Sequence, residues 1–364
     1  MVVSAAVIGS GTMGTGIAMA LANAGIDVAL VDVEPAQLDR ARAGIAAAYA
    51  SSVRRERITA SERDERVARI GYATVLDAAA GVDLVIEAVF EELEIKQDVF
   101  RRLDRIARAD AMLATNTSTL DIDAIAMATS RPEGIVGTHF FSPAHVMKLL
   151  EIVRGAYTAP AAIDAALALA RRLGKIAVVA GNCDGFIGNR MLARFRREAN
   201  FLLEEGASPS QVDGALRAFG FAMGPFETND LTGLDVSWRV RKRQRAAGTL
   251  RGRYSPIADR LCELGRFGQK TGAGFYRYEA GEHTPITDPI VDAIVGDAAR
   301  AAGIARRPIG DEEIVERCLG VLVDEARAIL AEGIAASAED VDLVWVHGYG
   351  FPASRGGPLG TLAR

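Results

Sequence analysis

Near its start the chain reads "AVIGSGTMGTGIA", with glycine at 9, 11 and 14. The apolar run "VVSAAVI" (2–8) leads into it, and an alanine-rich stretch follows to about Asn23. G-x-G-x-x-G alone is a weak signal, but a strand before it and a helix after it restrict what the chain can become. Gly9 makes the tight turn, Gly11 lets the backbone approach a pyrophosphate, and Gly14 lets helix and strand pack closely. The phosphates then meet a helix N-terminus, where N–H groups and the helix dipole favour an anion. "DVALVD" (27–32) reads as a second strand ending on Asp32. A carboxylate there accepts hydrogen bonds from a ribose 2′-hydroxyl and repels a 2′-phosphate, which points to NAD over NADP. Apart from the glycines, Asp32 reads equally as an ordinary strand-end turn residue.

The alternation continues. "EPAQLDRARAGIAAAYASSVRRERI" has helical composition, "DLVIEAV" (83–89) reads as a buried strand, and "EIKQDVFRRLDRIA" as the helix after it. "AMLATNTS" and "GIVGTHFF" carry the pattern on. Strands and helices in turn predict a parallel sheet covered on both faces. After about residue 182 long helical stretches dominate, at 185–205, 209–219 and 228–246. The fold class expected is therefore α/β: a Rossmann-type NAD-binding domain (1–182), an all-helical domain (183–280), a linker (281–310) opening on "GEHTPITDP", and a second, partial and degenerate helical copy (311–364).

That copy rests on an internal match. Arg190, Glu198 and Gly206 correspond to Arg317, Glu325 and Gly333, each at an offset of 127. After a two-residue insertion Asp213 corresponds to Asp342, and both copies run into Gly-Phe and Gly-Pro. Repeated helical units usually bury one face against each other.

The net charge of −5 suggests no surface for nucleic acid. Cys183, Cys262 and Cys318 have no CxxC spacing and read as reduced thiols. The four histidines show no metal-ligand spacing. The apolar N-terminus has no basic leader and is broken by glycines, so it does not read as a signal peptide. No stretch of 18 or more apolar residues suggests a membrane span. A cytoplasmic protein is expected.

"GTHFFSPAHVMKLLEI" (137–152) holds His139 and Glu151 in one of the most apolar runs of the chain. Burying an imidazole and a carboxylate costs free energy unless each is satisfied. A lone histidine in such a run is more often a core residue. Here it follows a strand of a nucleotide-binding sheet, where ligands sit at strand C-termini. A hairpin-like return brings Glu151 to the ring, stabilises its protonated form and fixes its orientation. A general base that takes an alcohol proton as hydride leaves the same carbon needs that arrangement.

At these residues the chain resembles the NAD-dependent L-3-hydroxyacyl-CoA dehydrogenases of fatty-acid β-oxidation, over nearly its whole length. "VIGSGTMG", "VIEAVFE", "NTST", "GFIGNRML" and "GFAMGPFETNDLTGLD" carry the resemblance together with the histidine run. "CELGRFGQKTGAGFY" and "GYGFPASRGGP" bring it closest to the dehydrogenase half of peroxisomal-type multifunctional enzymes. The resemblance implies catalytic roles for His139, Glu151, Ser118 and Asn189, with Ser118 and Asn189 as donors to substrate oxygens. It implies NAD contacts at Gly9, Gly11, Thr12, Met13, Gly14, Asp32, Ala88, Glu91, Lys96, Ser118, Ser142 and Lys270. The family has a lysine in place of Arg55, which with Arg54 and Arg57 would suit coenzyme A phosphates. Without the family, Ser118 and Asn189 read equally as caps, Glu91 and Lys96 as a solvated helix face, and the arginines as a solvated cluster.

The activity implied is oxidation of (S)-3-hydroxyacyl-CoA to the 3-ketoacyl-CoA. Alternatives are a 3-hydroxybutyryl-CoA dehydrogenase or acetoacetyl-CoA reductase, a sugar-acid dehydrogenase acting without coenzyme A, and a non-catalytic NAD-binding protein. Two-domain relatives often have Asn where this chain has Ser142; the multifunctional relatives have Ser. Those relatives also carry a hydratase domain and continue past "GGP", so the chain is expected to lack hydratase activity and to be shortened at its C-terminus. Asn189 maps to Glu316 in the second copy, which is therefore expected to be structural. A fused copy imitates the two-fold interface of a dimer, and the protein is expected to be a monomer.

Overall fold

Side chains alternate across a strand, so a sheet buried on both faces needs apolar residues at every position. The computed structural model describes residues 2–250 and 252–363. In it Ala5 and Val7 join one hydrophobic cluster while Ala6 and Ile8 join another. The chain forms two units, 1–189 with 329–349, and 190–328 with 350–364.

The first unit runs β1 (Ser4–Ile8), α1 (Thr12–Asn23), β2 (Asp27–Val31), α2 (Pro35–Arg54), α3 (Ala60–Ala68) and β3 (Ile70–Ala73). It continues with β4 (Leu84–Glu87), α4 (Leu93–Ile106), β5 (Met112–Thr115), α5 (Ile122–Ala126), β6 (Ile135–Phe140), β7 (Leu149–Arg154), α6 (Pro160–Arg172) and β8 (Ile176–Gly181). The strand order is β3-β2-β1-β4-β5-β6-β7-β8. The expected parallel sheet holds through β6; β7 then runs antiparallel, and β8 lies parallel to β7. The order reverses beside β1, where open α/β sheets leave a crevice at the strand C-termini.

The second unit is built from α7 (Gly188–Glu205), α8 (Pro209–Phe219), α9 (Pro225–Thr232), α10 (Leu234–Ala246), α11 (Ile257–Glu263), α12 (Pro289–Ala301) and α13 (Asp311–Ala331). Its interior includes the rings of Phe195, Phe221 and Phe351. Arg190 meets Glu325 at 2.6 Å and Arg317 meets Glu198 at 2.6 Å. Ser208 caps α8 by accepting from the Gln211 N–H. Ser337 caps the last helix, α14 (Ala338–Gly348), by accepting from the Asp340 N–H.

Three expectations need correction. The stretch 228–246 is two helices, because Gly233 takes φ +92° and ends α9. Residues 281–310 are more than a linker, since Asp288 accepts from the Ile290 N–H and Pro289 opens α12; an Asx cap followed by proline is a helix start. Residues 311–364 do not form one body: α14 belongs with the first unit, against β7 and β8, while most of α13 belongs with the second.

Candidate active site

The glycine loop shapes an anion site. Gly9 has φ +101°, and a Cβ there would lie 2.6 Å from the Ala88 carbonyl oxygen. A Cβ on Gly14 would lie 1.8 Å from the Gly9 carbonyl oxygen, so α1 can leave the loop only with glycine at 14. Around Gly11, by contrast, nothing lies within 4 Å of an added Cβ. Gly11 is also the N-cap of α1 and supplies no side-chain acceptor, so the first N–H groups, at Thr12 and Met13, are left for another partner. Asp32 braces the loop: its Oδ2 accepts from the Ser10 N–H and hydroxyl, both at 2.8 Å, and its Oδ1 from the Glu34 N–H. An open loop, an uncapped helix end and a carboxylate 18 residues beyond Gly14 fit a dinucleotide with a free 2′-hydroxyl.

Beneath the ends of β4 and β5 lies a polar chain. Lys96 is 1% exposed and gives its ammonium to Glu87 at 2.7 Å and Glu91 at 3.4 Å. The solvated-face reading of Lys96 is thus overturned, because α4 turns it under the sheet edge. Glu87, fully buried, also accepts from the Val89 N–H and the Thr115 hydroxyl. Glu91 Oε1 collects the Thr117 hydroxyl at 2.6 Å, the Ser118 N–H at 2.7 Å and the Ser118 hydroxyl at 3.1 Å. Burial raises the Glu91 carboxyl, but the Lys96 ammonium and these donors outweigh it and hold the group below the usual glutamate value. The Ser118 hydroxyl is here directed at Glu91.

The His139–Glu151 pair follows from strand register. In an antiparallel pair, residues directly opposite share a face. His139 stands opposite Glu151 between β6 and β7, and Nδ1 lies 2.7 Å from Oε2. A carboxylate oxygen accepts, so Nδ1 carries the proton and Nε2 is the nitrogen left to act as base. Glu151 is fully buried, and its Oε1 accepts from the N–H groups of Ile187 (3.2 Å) and Gly188 (3.1 Å) where α7 begins. Phe186 enters that turn at φ +52°, an uncommon conformation for a bulky residue. Its ring and that of Phe141 flank the imidazole, with centroids 5.8 and 4.5 Å away.

Asn189 closes the arrangement. Its Nδ2 donates to the Ser118 carbonyl at 3.2 Å, and its Oδ1 accepts from the Tyr349 hydroxyl at 3.0 Å. Neither residue serves as a helix cap for its own segment through these bonds. Asn116 ties the turn after β5 to the end of β6 by accepting from the Phe140 N–H. Asn116, Thr117, Glu87, Phe186 and Tyr349 join the site beyond the residues expected from sequence. All five lie inside motifs quoted above; the first three bear hydrogen-bonding side chains in an apolar setting, a usable signal, whereas nothing in the motif around Tyr349 marks the partner of its hydroxyl.

The other expected contacts are more scattered. Ser142 is exposed just beyond β6. Lys270 belongs to the second unit, where it pairs with Asp235. Arg54, Arg55 and Arg57 are exposed at the end of α2 and have no ion-pair partner among the described residues.

Comparison with known proteins places the whole chain beside one family. A family model described as 3-hydroxyacyl-CoA dehydrogenase, NAD binding domain, matches residues 4–183, and the model of the C-terminal domain of the same family matches 185–278. The chain is 46% identical to the peroxisomal bifunctional enzyme of Cavia porcellus over 98% of its own length and 51% of that protein. It thus spans about half the length of that curated relative. The crystal structure of 3-hydroxybutyryl-CoA dehydrogenase from Escherichia coli K12 superposes with a TM-score of 0.85 at 30% identity, covering 100% of this chain and 91% of that one. The dehydrogenase part of multifunctional enzyme 1 from C. elegans gives 0.66 at 30% identity, covering 96% and 79%.

Proposed function

The chain belongs to the 3-hydroxyacyl-CoA dehydrogenase family, and from that premise we infer that it oxidises (S)-3-hydroxyacyl-CoA to the 3-ketoacyl-CoA with NAD as hydride acceptor. The carrying observation is the 2.7 Å bond between His139 Nδ1 and a Glu151 that is itself anchored by two backbone N–H groups.

NAD is held at the glycine loop: Gly9, Gly11 and Gly14 clear the backbone, Thr12 and Met13 offer N–H groups, and Asp32 takes the ribose. Ala88 supports the turn of Gly9. Glu91, charged and positioned by Lys96, fixes the Ser118 turn; Ser142 completes the contacts. When bound, the nicotinamide supplies the two-electron chemistry. The chain's own residues handle the proton. His139 Nε2 takes it from the 3-hydroxyl as the C3 hydride leaves, and Glu151 stabilises the imidazolium that forms. Asn189 donates an N–H to a substrate oxygen. Ser118 serves the same end if its hydroxyl turns from Glu91 to the 3-oxygen. Arg55, with Arg54 and Arg57, meets coenzyme A phosphates, for which arginine is a bidentate donor.

An NADH absorbance assay with acetoacetyl-CoA tests this directly: oxidation of NADH only when both are present is expected, and no turnover with any 3-ketoacyl-CoA overturns it. The similarity to a 3-hydroxybutyryl-CoA dehydrogenase favours a second reading, a short-chain enzyme working on that substrate pair. A rate series over acyl length separates the two, since a steep fall beyond four carbons selects the short-chain enzyme. No helix among the described residues is long and apolar enough to cross a membrane. Thiols at all three cysteines fit a reducing compartment such as the cytoplasm.

A further inference from the structure

Tyr349 follows α14, in the copy whose loss of the asparagine suggested a structural role alone. We propose that Tyr349 is a positioning residue for Asn189, so that the second copy completes the dehydrogenase site. The proposal rests on the reading that Asn189 donates to substrate.

An asparagine side chain has a donor end and an acceptor end of nearly the same shape. The Ser118 carbonyl can only accept, so it selects the NH₂ end of Asn189, at 3.2 Å. The Tyr349 hydroxyl donates to the oxygen end at 3.0 Å. With both ends specified, the amide has one orientation, and its second N–H remains for a ligand. A donor on the amide oxygen also polarises the group and strengthens that N–H.

The surroundings are built to admit this ring. A Cβ on Gly188 would lie 2.2 Å from Tyr349 Cε2, so the residue before Asn189 must be glycine for the ring to sit there. A Cβ on Gly348 would lie 2.6 Å from Leu149 Cδ2 and 3.2 Å from Phe141 Cε1, so the last turn of α14 also needs glycine to settle on β7. The Tyr349 ring stacks on Trp345 at 5.1 Å and meets Phe141 edge-on at 5.5 Å; Phe141 in turn packs on the His139 ring. One side chain thus braces Asn189 by a hydrogen bond and His139 through a shared phenylalanine.

The test uses Tyr349→Phe in the full chain, which keeps the ring and removes the donor. Losing one orienting hydrogen bond is expected to lower kcat for acetoacetyl-CoA reduction about tenfold. The KM for NADH and the unfolding midpoint should stay near the parent values, a split that general structural damage would not produce. A kcat within twofold of the parent overturns the proposal. A second readout needs no turnover. The chain has six asparagines, so selective ¹⁵N-asparagine labelling gives six side-chain amide pairs, and Asn189→Ala identifies the one of interest. That pair should shift in Tyr349→Phe while the other five hold; an unmoved Asn189 pair overturns the proposal. Should the parent turn over no acyl-CoA, the dehydrogenase reading falls, and the amide spectrum still decides whether Tyr349 holds Asn189.

Discussion

Arg190 holds Glu325 at 2.6 Å, and the residues 127 positions further along each copy return the contact: Arg317 holds Glu198 at 2.6 Å. If residue i meets j′, and i′ meets j, the two surfaces are related as across a two-fold interface. The two copies of the repeat thus pair reciprocally, and we propose that this pairing stands in for a dimer interface within one chain. Light scattering should give one chain of 38.6 kDa; twice that mass would show that the internal copy does not replace a partner.

The same pairing sets a stability prediction. Glu325 is 7% exposed and faces both Arg190 and Arg194, at 2.6 and 2.8 Å. Glu325→Gln leaves two guanidinium groups together without their shared anion. Both arginines keep some water, so the loss should be smaller than for a dry pair, about 1–3 kcal/mol by urea unfolding. A change below about 0.5 kcal/mol would mean the reciprocal pairs are surface decoration.

Much of this was legible beforehand, for identifiable reasons. Gly9 and Gly14 announce themselves because close backbone leaves no room for a Cβ, Gly11 because it keeps the mouth of the loop open, and His139 and Glu151 because charge-bearing groups in an apolar run demand a partner. Lys96 was harder: one residue looks the same on a solvated face and beneath a sheet edge, and only tertiary packing around Glu87 decides. Gly233 and the Asp288–Pro289 start of α12 were readable punctuation that helical composition on either side obscured. The role of Tyr349 is not readable locally, because its partner lies 160 residues away and the repeat shows only that Glu316 stands where Asn189 would be.

Asp32 braces the glycine loop and, in the function proposed above, also takes the ribose, so its loss should show twice. Removing its carboxylate takes the acceptor from the Ser10 N–H and hydroxyl and the acceptor meant for the ribose. Asp32→Ala should raise the KM for NADH about tenfold or more. It should also narrow the preference for NADH over NADPH, since the group that repels a 2′-phosphate is gone. The ratio of kcat/KM for the two cofactors is the measurement, and an unchanged ratio would remove Asp32 from cofactor selection.

Glu91 predicts the acid limb of the stability curve. Its folded pKa lies below the ordinary 4.5, since Lys96 and the Thr117 and Ser118 donors outweigh burial. A carboxyl depressed in the folded state contributes stability that is fully present above its unfolded pKa and is lost as pH falls through the folded value. Glu91→Gln should therefore be less stable than the parent at pH 7, with the gap closing as pH falls below about 4.5. Urea midpoints measured from pH 7 to pH 3 test it; a gap that stays constant would mean Glu91 acts only by shape.

Glu151→Gln isolates the proton logic of the site from its architecture. Glu151 Oε1 is claimed by the Ile187 and Gly188 N–H groups, which need an acceptor. A glutamine must keep its oxygen there and so turns its NH₂ toward His139 Nδ1. The ring stays in place, but Nδ1 becomes the acceptor and the proton moves to Nε2, the nitrogen that has to receive the substrate's proton. An inverted tautomer in an intact frame costs on the order of 10⁴ in a serine protease triad. Here kcat should fall by about 10³–10⁴, at least as far as in His139→Gln, for which about 10²–10⁴ is expected. The double variant should lose little more than either alone, because the two residues act as one unit. NADH affinity, measured by fluorescence titration, should not change. Turnover within tenfold of the parent in Glu151→Gln would mean that His139 works without a tautomer imposed by its neighbour.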